Sequence, residues 1–466
     1  MTTNPRAARP LPPPPASLHF IGIGGIGMSG LARILNMWGY KVSGSDIQES
    51  AQTVALRKMG IPVVIGHDNP ELASHADIIV TNKRAAANAA IEIDAALANG
   101  AEVIKRGDLL GMAAAERFSI AVAGSHGKST TSGFLSVALR TLDADPTFAV
   151  GAIVAATGTN AEPGQGNHFV VEADEFDRSF HGLYPSVAII TSVAFDHPDI
   201  YADQTEYDDA FVEFARNIQP NGTLIIAGDD NGSRRVIDRL RESDRRDISI
   251  QAFGESGSCD WRLSGDGRRR VVTDPGGKEH ELNLHMPGKH NARNAMAAVA
   301  ALHAAGFSVE DAVRGVESFT GIGRRFEYKG TLNGIDVIDD YAHHPDEITA
   351  VLHAAREHYP DKRIVAVHQP HTYTRTWSLL SEFATSLDLA DDVVLMEIYG
   401  VGETNEHNIS SADLGVKMRV SPVIVDTPRE AADAVRDLLE GEDNAVILTL
   451  GAGTVTNVGP LLVDTE

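Results

Sequence analysis

The sequence predicts an α/β protein of three consecutive units, each a mostly parallel sheet covered by helices. Three observations carry this. The chain has 466 residues, enough for three domains at roughly 100–200 residues each. Short apolar runs alternate with stretches of helical spacing along almost all of it. Two glycine-rich turns, beginning at Gly22 and Gly124, each join an apolar run to a helical pattern, as strand–turn–helix junctions of a parallel sheet do.

The elements follow in order. The first 16 residues are rich in Pro and Ala and lack the apolar core of a signal peptide. They read as a disordered lead-in of polyproline character. The first unit, residues 17–112, opens with a strand at Leu18–Ile21, and Met28, Leu31, Ala32, Leu35 and Trp38 then recur at helical spacing. Strands are expected at Lys41–Asp46, Val63–Ile65 and Ile78–Val80, and GMAAAERF from Gly111 reads as a joint. The second unit, residues 113–326, begins with the apolar run Ile120–Ala123 and a helix bearing Phe134, Leu135, Ala138, Leu139 and Leu142 on one face. Its further strands fall at Phe169–Val171, Val187–Ile190 and Leu224–Ile226, with SGDGRRR from Ser264 as a hairpin or loop. The third unit, residues 327–466, has strands at Val337–Ile338, Ile364–Val367, Val393–Met396 and Val446–Leu448.

Composition narrows the function. The formal net charge of −24 argues against a nucleic-acid partner, which demands clustered Lys and Arg. No apolar run approaches the ~18 residues of a membrane span, and the single cysteine, Cys259, rules out an internal disulfide. The expectation is a cytoplasmic protein, monomeric or homodimeric, acting on small molecules.

The turn Gly124–Ser125–His126–Gly127–Lys128–Ser129–Thr130 has the residue types of a phosphate cradle. Glycines let backbone N–H groups approach phosphate oxygens, and the helix N-terminus adds partial positive charge. Lys128 suits β- and γ-phosphates, and Ser129 or Thr130 can offer an oxygen to Mg²⁺. Val122 stands where the longer form of this loop has its first glycine. Two acidic clusters follow strands, VVEADEFD with Glu172 and TSVAFDHPD with Asp196 and His197. Hard oxygens suit Mg²⁺, and an imidazole suits a second ion less commonly. Each cluster alone also reads as a solvated strand end. The first turn carries Gly22, Gly24, Gly25 and Gly27, with Asp46 at the end of the second strand. That reads as a diphosphate site with a carboxylate for ribose hydroxyls, compatible with NAD or a UDP-sugar, with a purely structural tight turn as the alternative.

The chain resembles the Mur ligases. The likeness rests on HFIGIGGIGMSGLA from His19, VSGSD from Val42, AGSHGKSTT from Ala123, VEADEFD from Val171, FDHPD from Phe195, PGKHNARNA from Pro287, GIGRRFEYKG from Gly321, DDYAHHPDEI from Asp339 and QPHTYTRT from Gln369. It implies a Rossmann-like UDP-binding domain, a central P-loop ATP-binding domain and a Rossmann-like C-terminal domain that closes over the site. It further implies ATP and Mg²⁺ as cofactors, UDP-N-acetylmuramate and L-alanine as substrates, and amide formation through an acyl phosphate. Residue roles are carried over on the same terms. Gly22, Gly24, Gly25, Gly27, Asp46 and His67 fall to the UDP moiety. Ser129, Glu172 and His197 fall to magnesium. His290, Asn291 and Asn294 hold the ATP base and sugar, Arg325 reaches the phosphates, and Asp339 or Asp340 contacts ATP. His343, His344, His371 and Arg375 take the amino acid.

Departures from the family pattern are Lys83 and Arg84, Ser192 for a common asparagine, Thr372 for a frequent arginine and Thr454 for a common aspartate. A tripeptide-recycling ligase and an NAD-dependent oxidoreductase are the competing readings; the second leaves the Lys128 loop unexplained.

Overall fold

A computed structural model of the chain describes residues 9–197, 200–242, 247–267 and 269–463, without the side chains of Lys83 and Arg84. The chain divides into two compact units. The first holds the chain up to Ser264 with Val271–Leu282 and Arg293–Phe319, and the second holds Gly265–Arg270, Asn283–Ala292 and the chain from Thr320 onward.

The first unit contains two sheets. One is formed by β1 (Ser17–Ile21), β2 (Lys41–Asp46), β3 (Val63–Ile65), β4 (Ile78–Thr81) and β5 (Glu102–Lys105), in the order β3-β2-β1-β4-β5, and every pairing is parallel. The order reverses at β1, so a crevice opens at the carboxyl ends of β1 and β4. The glycine turn lies there.

The other sheet has ten strands: β6 (Phe118–Ala123), β7 (Thr147–Val154), β8 (Thr159–Glu162), β9 (His168–Glu172), β10 (Val187–Ile190), β11 (Thr223–Ala227), β12 (Ser249–Gly254), β13 (Trp261–Asp266), β14 (Arg269–Thr273) and β15 (Glu279–Leu282). Their order is β15-β14-β13-β12-β11-β10-β6-β9-β7-β8. β6 lies parallel between β10 and β9. These central strands are Val-, Ile- and Ala-rich because both sheet faces are covered.

The two sheets of this unit share one core. Gly30, in the helix Ile26–Met37, permits that approach: a Cβ there would stand 2.8 Å from the Ala161 Cβ. Trp38 meets Phe169 edge to face, with centroids 6.0 Å apart.

In the second unit, β16 (Glu327–Leu332), β17 (Ile335–Asp340), β18 (Arg363–His368), β19 (Asp392–Met396), β20 (Val423–Val425) and β21 (Ala445–Leu450) run in the order β16-β17-β21-β18-β19-β20. Only the edge strand β16 is antiparallel.

One expectation needs correction. Residues 1–8 of the lead-in lie outside the described residues, but from residue 9 it is seated rather than disordered. Leu11 is buried in the shared core, and the Tyr40 hydroxyl donates to the Pro12 carbonyl at 2.8 Å. Periodicity has no purchase on such a proline-rich segment, so only packing reveals it. The joint expected at GMAAAERF begins as the buried end of the helix Arg106–Ala115. There a Cβ on Gly111 would meet the Gly182 carbonyl oxygen at 1.9 Å. That glycine marks a backbone crossing, so the joint is closely packed. The Ser264 segment, expected as a hairpin or loop, supplies the end of β13 and the start of β14, which are neighbours in the sheet.

Candidate active site

The loops that follow β6, β9 and β10 carry the three clusters picked out from the sequence. They converge because β6 lies between the other two, so parallel pairing brings three carboxyl ends together.

The phosphate loop turns into the helix Lys128–Thr141 at Gly127, which has φ +85° and serves as its N-cap. Gly124 has φ +134°, and a Cβ there would meet the Thr191 side chain and the amides of Thr191 and Ser192. Ser125 locks the loop from beneath. Its hydroxyl donates to the Ala194 carbonyl at 2.7 Å, accepts from the Ala194 amide at 2.9 Å and lies 2.9 Å from the Tyr207 hydroxyl. The His126 amide donates to the Ser192 hydroxyl at 3.1 Å, so the residue that departs from the family's asparagine supports the loop directly. Asn294 packs against Gly127, where a Cβ would stand 2.6 Å from its Oδ1. His290 is one helical turn earlier in the helix Lys289–Ala304. Asn291 donates from Nδ2 to the Pro287 carbonyl at 2.7 Å. Thr130 is buried behind the loop.

Lys128 donates to the carbonyls of Gly124 at 2.6 Å and Ser125 at 3.3 Å, and to Glu175 Oε1 at 3.0 Å. Burial opposes its charge, but Glu175, Asp174 and Glu172 outweigh that and raise its pKa. Glu175 mirrors it: burial alone would raise its carboxyl, yet Lys128 and His197 hold it below the usual range. His197, at φ +57°, sits 3.5 Å from Glu175 and 3.7 Å from Asp196. Burial works against its charge, and these carboxylates raise its pKa. Ser129 donates to Glu172 Oε1 at 2.9 Å, and the Gly151 amide donates to the other oxygen at 2.6 Å. Burial raises the Glu172 carboxyl even so.

At the glycine turn, Gly22 has φ +78°, and the amides of Gly22 and Ile23 donate to the Ser45 carbonyl. The Gly25 amide closes the turn onto Gly22. Asp46 accepts the Gly24 amide at 2.8 Å. His67 is buried: its Nδ1 lies 2.9 Å from Ser45 Oγ and 3.3 Å from the fully buried Glu92. Burial would raise the Glu92 carboxyl, but His19, Ser45 and His67 bring it below the usual range. Arg106 lies over Gly27, where a Cβ would be 3.1 Å from its Nη1.

In the second unit, Arg325 lies over the Tyr341 ring at 5.2 Å, Tyr341 meets His343 edge to face at 5.1 Å, and His343 meets His371 at 5.5 Å. Arg375, buried to 9 % exposure, places Nη1 3.3 Å from His371 Nδ1. An arginine only donates, so that nitrogen accepts and His371 carries its proton on Nε2. Thr372, at φ +65°, accepts the Arg375 amide. His344 caps the helix Pro345–His358 by accepting the Asp346 amide. Thr454 donates to Gln369 at 3.2 Å.

The two aspartates face inward. Asp339 takes Thr449 at 2.6 Å, Thr456 at 2.9 Å and Arg324 at 3.2 Å. Asp340 accepts the amides of Phe326 and Ala342, both at 2.8 Å, and burial pushes its carboxyl up to about 6, against the pull of Arg325. A raised acid pKa contributes stability that is full below the unfolded value of 3.8 and is lost as pH rises through about 6. The loss is at most about 3 kcal/mol. Asp340→Asn should flatten the fall in unfolding midpoint between about pH 4 and 6; denaturant curves that stay parallel for the two proteins would refute it.

Glu175, Glu92, Arg106, Arg324 and Glu347 join these clusters without having been picked out from the sequence. Glu347 accepts the His343 amide at 3.0 Å and faces Arg325 at 3.7 Å. A spacing of three from Glu172 was the available signal for Glu175. Glu92, in the first turn of the helix Ala90–Ala98, had none. Cys259 is buried, and burial pushes its thiol up to about 11, so it stays a thiol.

Family models match three successive stretches of the chain. They are "Mur ligase family, catalytic domain" over residues 17–118, "Mur ligase middle domain" over 122–302 and "Mur ligase, glutamate ligase domain" over 324–453. The chain belongs to the Mur ligase family. This Mur ligase is 38 % identical over 454 residues to the UDP-N-acetylmuramate–L-alanine ligase of Nitratidesulfovibrio vulgaris, covering 97 % of this chain and 99 % of the relative. It is 40 % identical over 452 residues to the protein of that name from Streptomyces coelicolor, covering 96 % of each. The crystal structure of UDP-N-acetylmuramate-alanine ligase from Thermotoga maritima matches with a TM-score of 0.75 at 29 % identity, covering 96 % of this chain and 98 % of that one. A murein peptide ligase from Psychrobacter arcticus, at 24 % identity and a TM-score of 0.67, shares the fold. No helix among the described residues of this Mur ligase is long and apolar enough to cross a membrane.

Proposed function

We propose that this chain uses ATP to join L-alanine to the carboxylate of UDP-N-acetylmuramate, an amide-forming step of peptidoglycan precursor synthesis. The observation that carries the reading is the pairing of two anion sites in one unit. One is the Lys128 loop with its carboxylates, and the other is the Gly22 turn closed by Asp46. A hydride enzyme explains only the second. A ligase acting on a nucleotide-linked acid uses both, and relatives bearing that activity in their names match over nearly the full length.

Residues 17–112, 113–326 and 327–466 then serve the UDP-substrate, ATP and the amino acid in turn. Gly22, Gly24, Gly25 and Gly27 shape the turn that sets the N-terminus of the helix Ile26–Met37 toward the UDP diphosphate, and Asp46 and His67 face the nucleoside. Lys128 neutralises charge that builds on the phosphoryl group as it moves to the carboxylate. His343, His344, His371 and Arg375 receive the amino acid, whose carboxylate suits the guanidinium.

The donor set fits Mg²⁺. Ser129 Oγ and Glu172 Oε1 lie 2.9 Å apart, the edge of an octahedron with oxygens about 2.1 Å from the ion. Ser129 and Glu172 would hold it and His197 would attend a second ion. Bound there, Mg²⁺ offsets charge on the phosphates.

The test is phosphate release from ATP with UDP-N-acetylmuramate and single amino acids. L-alanine should stimulate release strongly and a tripeptide should not. A panel in which L-alanine, L-serine and glycine all leave the rate at background sinks the reading.

A further inference from the structure

We propose that Glu175 is a built-in counter-ion that occupies Lys128 until nucleotide phosphate takes its place. The inference rests on reading the Lys128 loop as an ATP site.

An ammonium has three N–H bonds, and Lys128 spends them on Gly124 O, Ser125 O and the Glu175 carboxylate, whose nearer oxygen is 2.8 Å away. Two of these acceptors are carbonyls of the loop itself. Glu175 is the anion among the three, so it competes with a phosphate for the same charge. The pair is shielded from water, the side chains being 14 % and 1 % exposed, and shielding strengthens the competition.

Glu175 is also anchored independently of the lysine, at its main chain and at its carboxylate. The Tyr201 hydroxyl donates to the Glu175 carbonyl at 2.6 Å, and His197 Nε2 lies 3.5 Å from its carboxylate. An arriving phosphate must displace Glu175 from Lys128 or share the ammonium with it. Either way part of the binding energy is spent on undoing the resting pair. In return, the lysine stays in register with the loop before nucleotide arrives, instead of sampling the rotamers of a free lysine. Glu175 is thus a positioning residue, and its charge weakens nucleotide binding.

The experiment is calorimetric titration of the full chain with ATP and Mg²⁺, without UDP-N-acetylmuramate or amino acid. Glu175→Gln keeps the shape and a hydrogen-bond acceptor but removes the charge. It should bind ATP about tenfold tighter, which corresponds to about 1.4 kcal/mol. A residue with a merely structural role would weaken binding when replaced. Glu175→Asp, whose shorter arm draws the carboxylate back from Lys128, should tighten binding by a smaller factor and stands in if the glutamine variant does not fold. Affinity equal to or weaker than wild type in the folded variant overturns the proposal. Because no acceptor is present, the result is independent of whether L-alanine is the amino acid used.

Discussion

Lys128→Ala should lower ATP-driven amide formation by at least about 10³-fold, since loss of one preorganised group at developing charge already costs about 10²–10³ in kcat. The lysine does more than a neutral donor, because the phosphoryl group in flight spreads charge over three oxygens. Affinity for UDP-N-acetylmuramate should stay near wild type. The Gly22 turn is built from its own amides, Ser45 and Asp46, none of which touches Lys128. Removing the lysine leaves Glu175 with His197 as its cationic neighbour, and breaking a buried pair from one side costs about 3–5 kcal/mol. The variant should therefore unfold earlier in denaturant. The decisive measurement is single-turnover phosphate release alongside a thermal shift with UDP-N-acetylmuramate. Equal loss of catalysis and of UDP-substrate binding in a folded protein would show that the two sites have been wrongly assigned.

Gly124→Ala should remove ATP binding and destabilise the fold. At φ +134° a side chain is strained by about 1–3 kcal/mol whatever the space around it. Space is also lacking: the new Cβ would lie 2.9 and 3.0 Å from the amides of Thr191 and Ser192. Those belong to the loop after β10 and cannot withdraw without pulling Ser192 from the His126 amide. Overpacking of this kind adds about 1–3 kcal/mol, a large share of a typical stability of about 5–15 kcal/mol. Calorimetry should find no heat of ATP binding, and the urea midpoint should fall. A variant with normal ATP affinity would mean that the backbone at Gly124 is not what cradles the phosphates.

Much of this was legible beforehand because parallel strands buried on both faces read as continuous apolar runs. Lys41–Asp46, Val63–Ile65 and Val187–Ile190 were expected with the boundaries observed. The edge strand β16 and the strand β15 were not, since half-exposed strands such as Glu327–Leu332 mix Glu, Lys and Gly with apolar residues. The phosphate loop was legible because its chemistry is local, seven consecutive residues at one strand end. Its counter-charge was not, because Glu175 meets Lys128 across 47 positions of sequence. The seating of Leu11 and the crossing at Gly111 depend likewise on distant partners, the shared core and Gly182.

The sequence alone thus determined the α/β alternation, the two glycine turns and the residue types here proposed for phosphate and metal, all set by spacing along the chain. Only the tertiary structure decided which charges meet. Strand order places β6 between β9 and β10, so three loops far apart in sequence share one end of a sheet. There burial makes each charge depend on its neighbour: Lys128 is held by Glu175, Glu175 by Lys128 and His197, and Glu172 by Ser129 and Gly151.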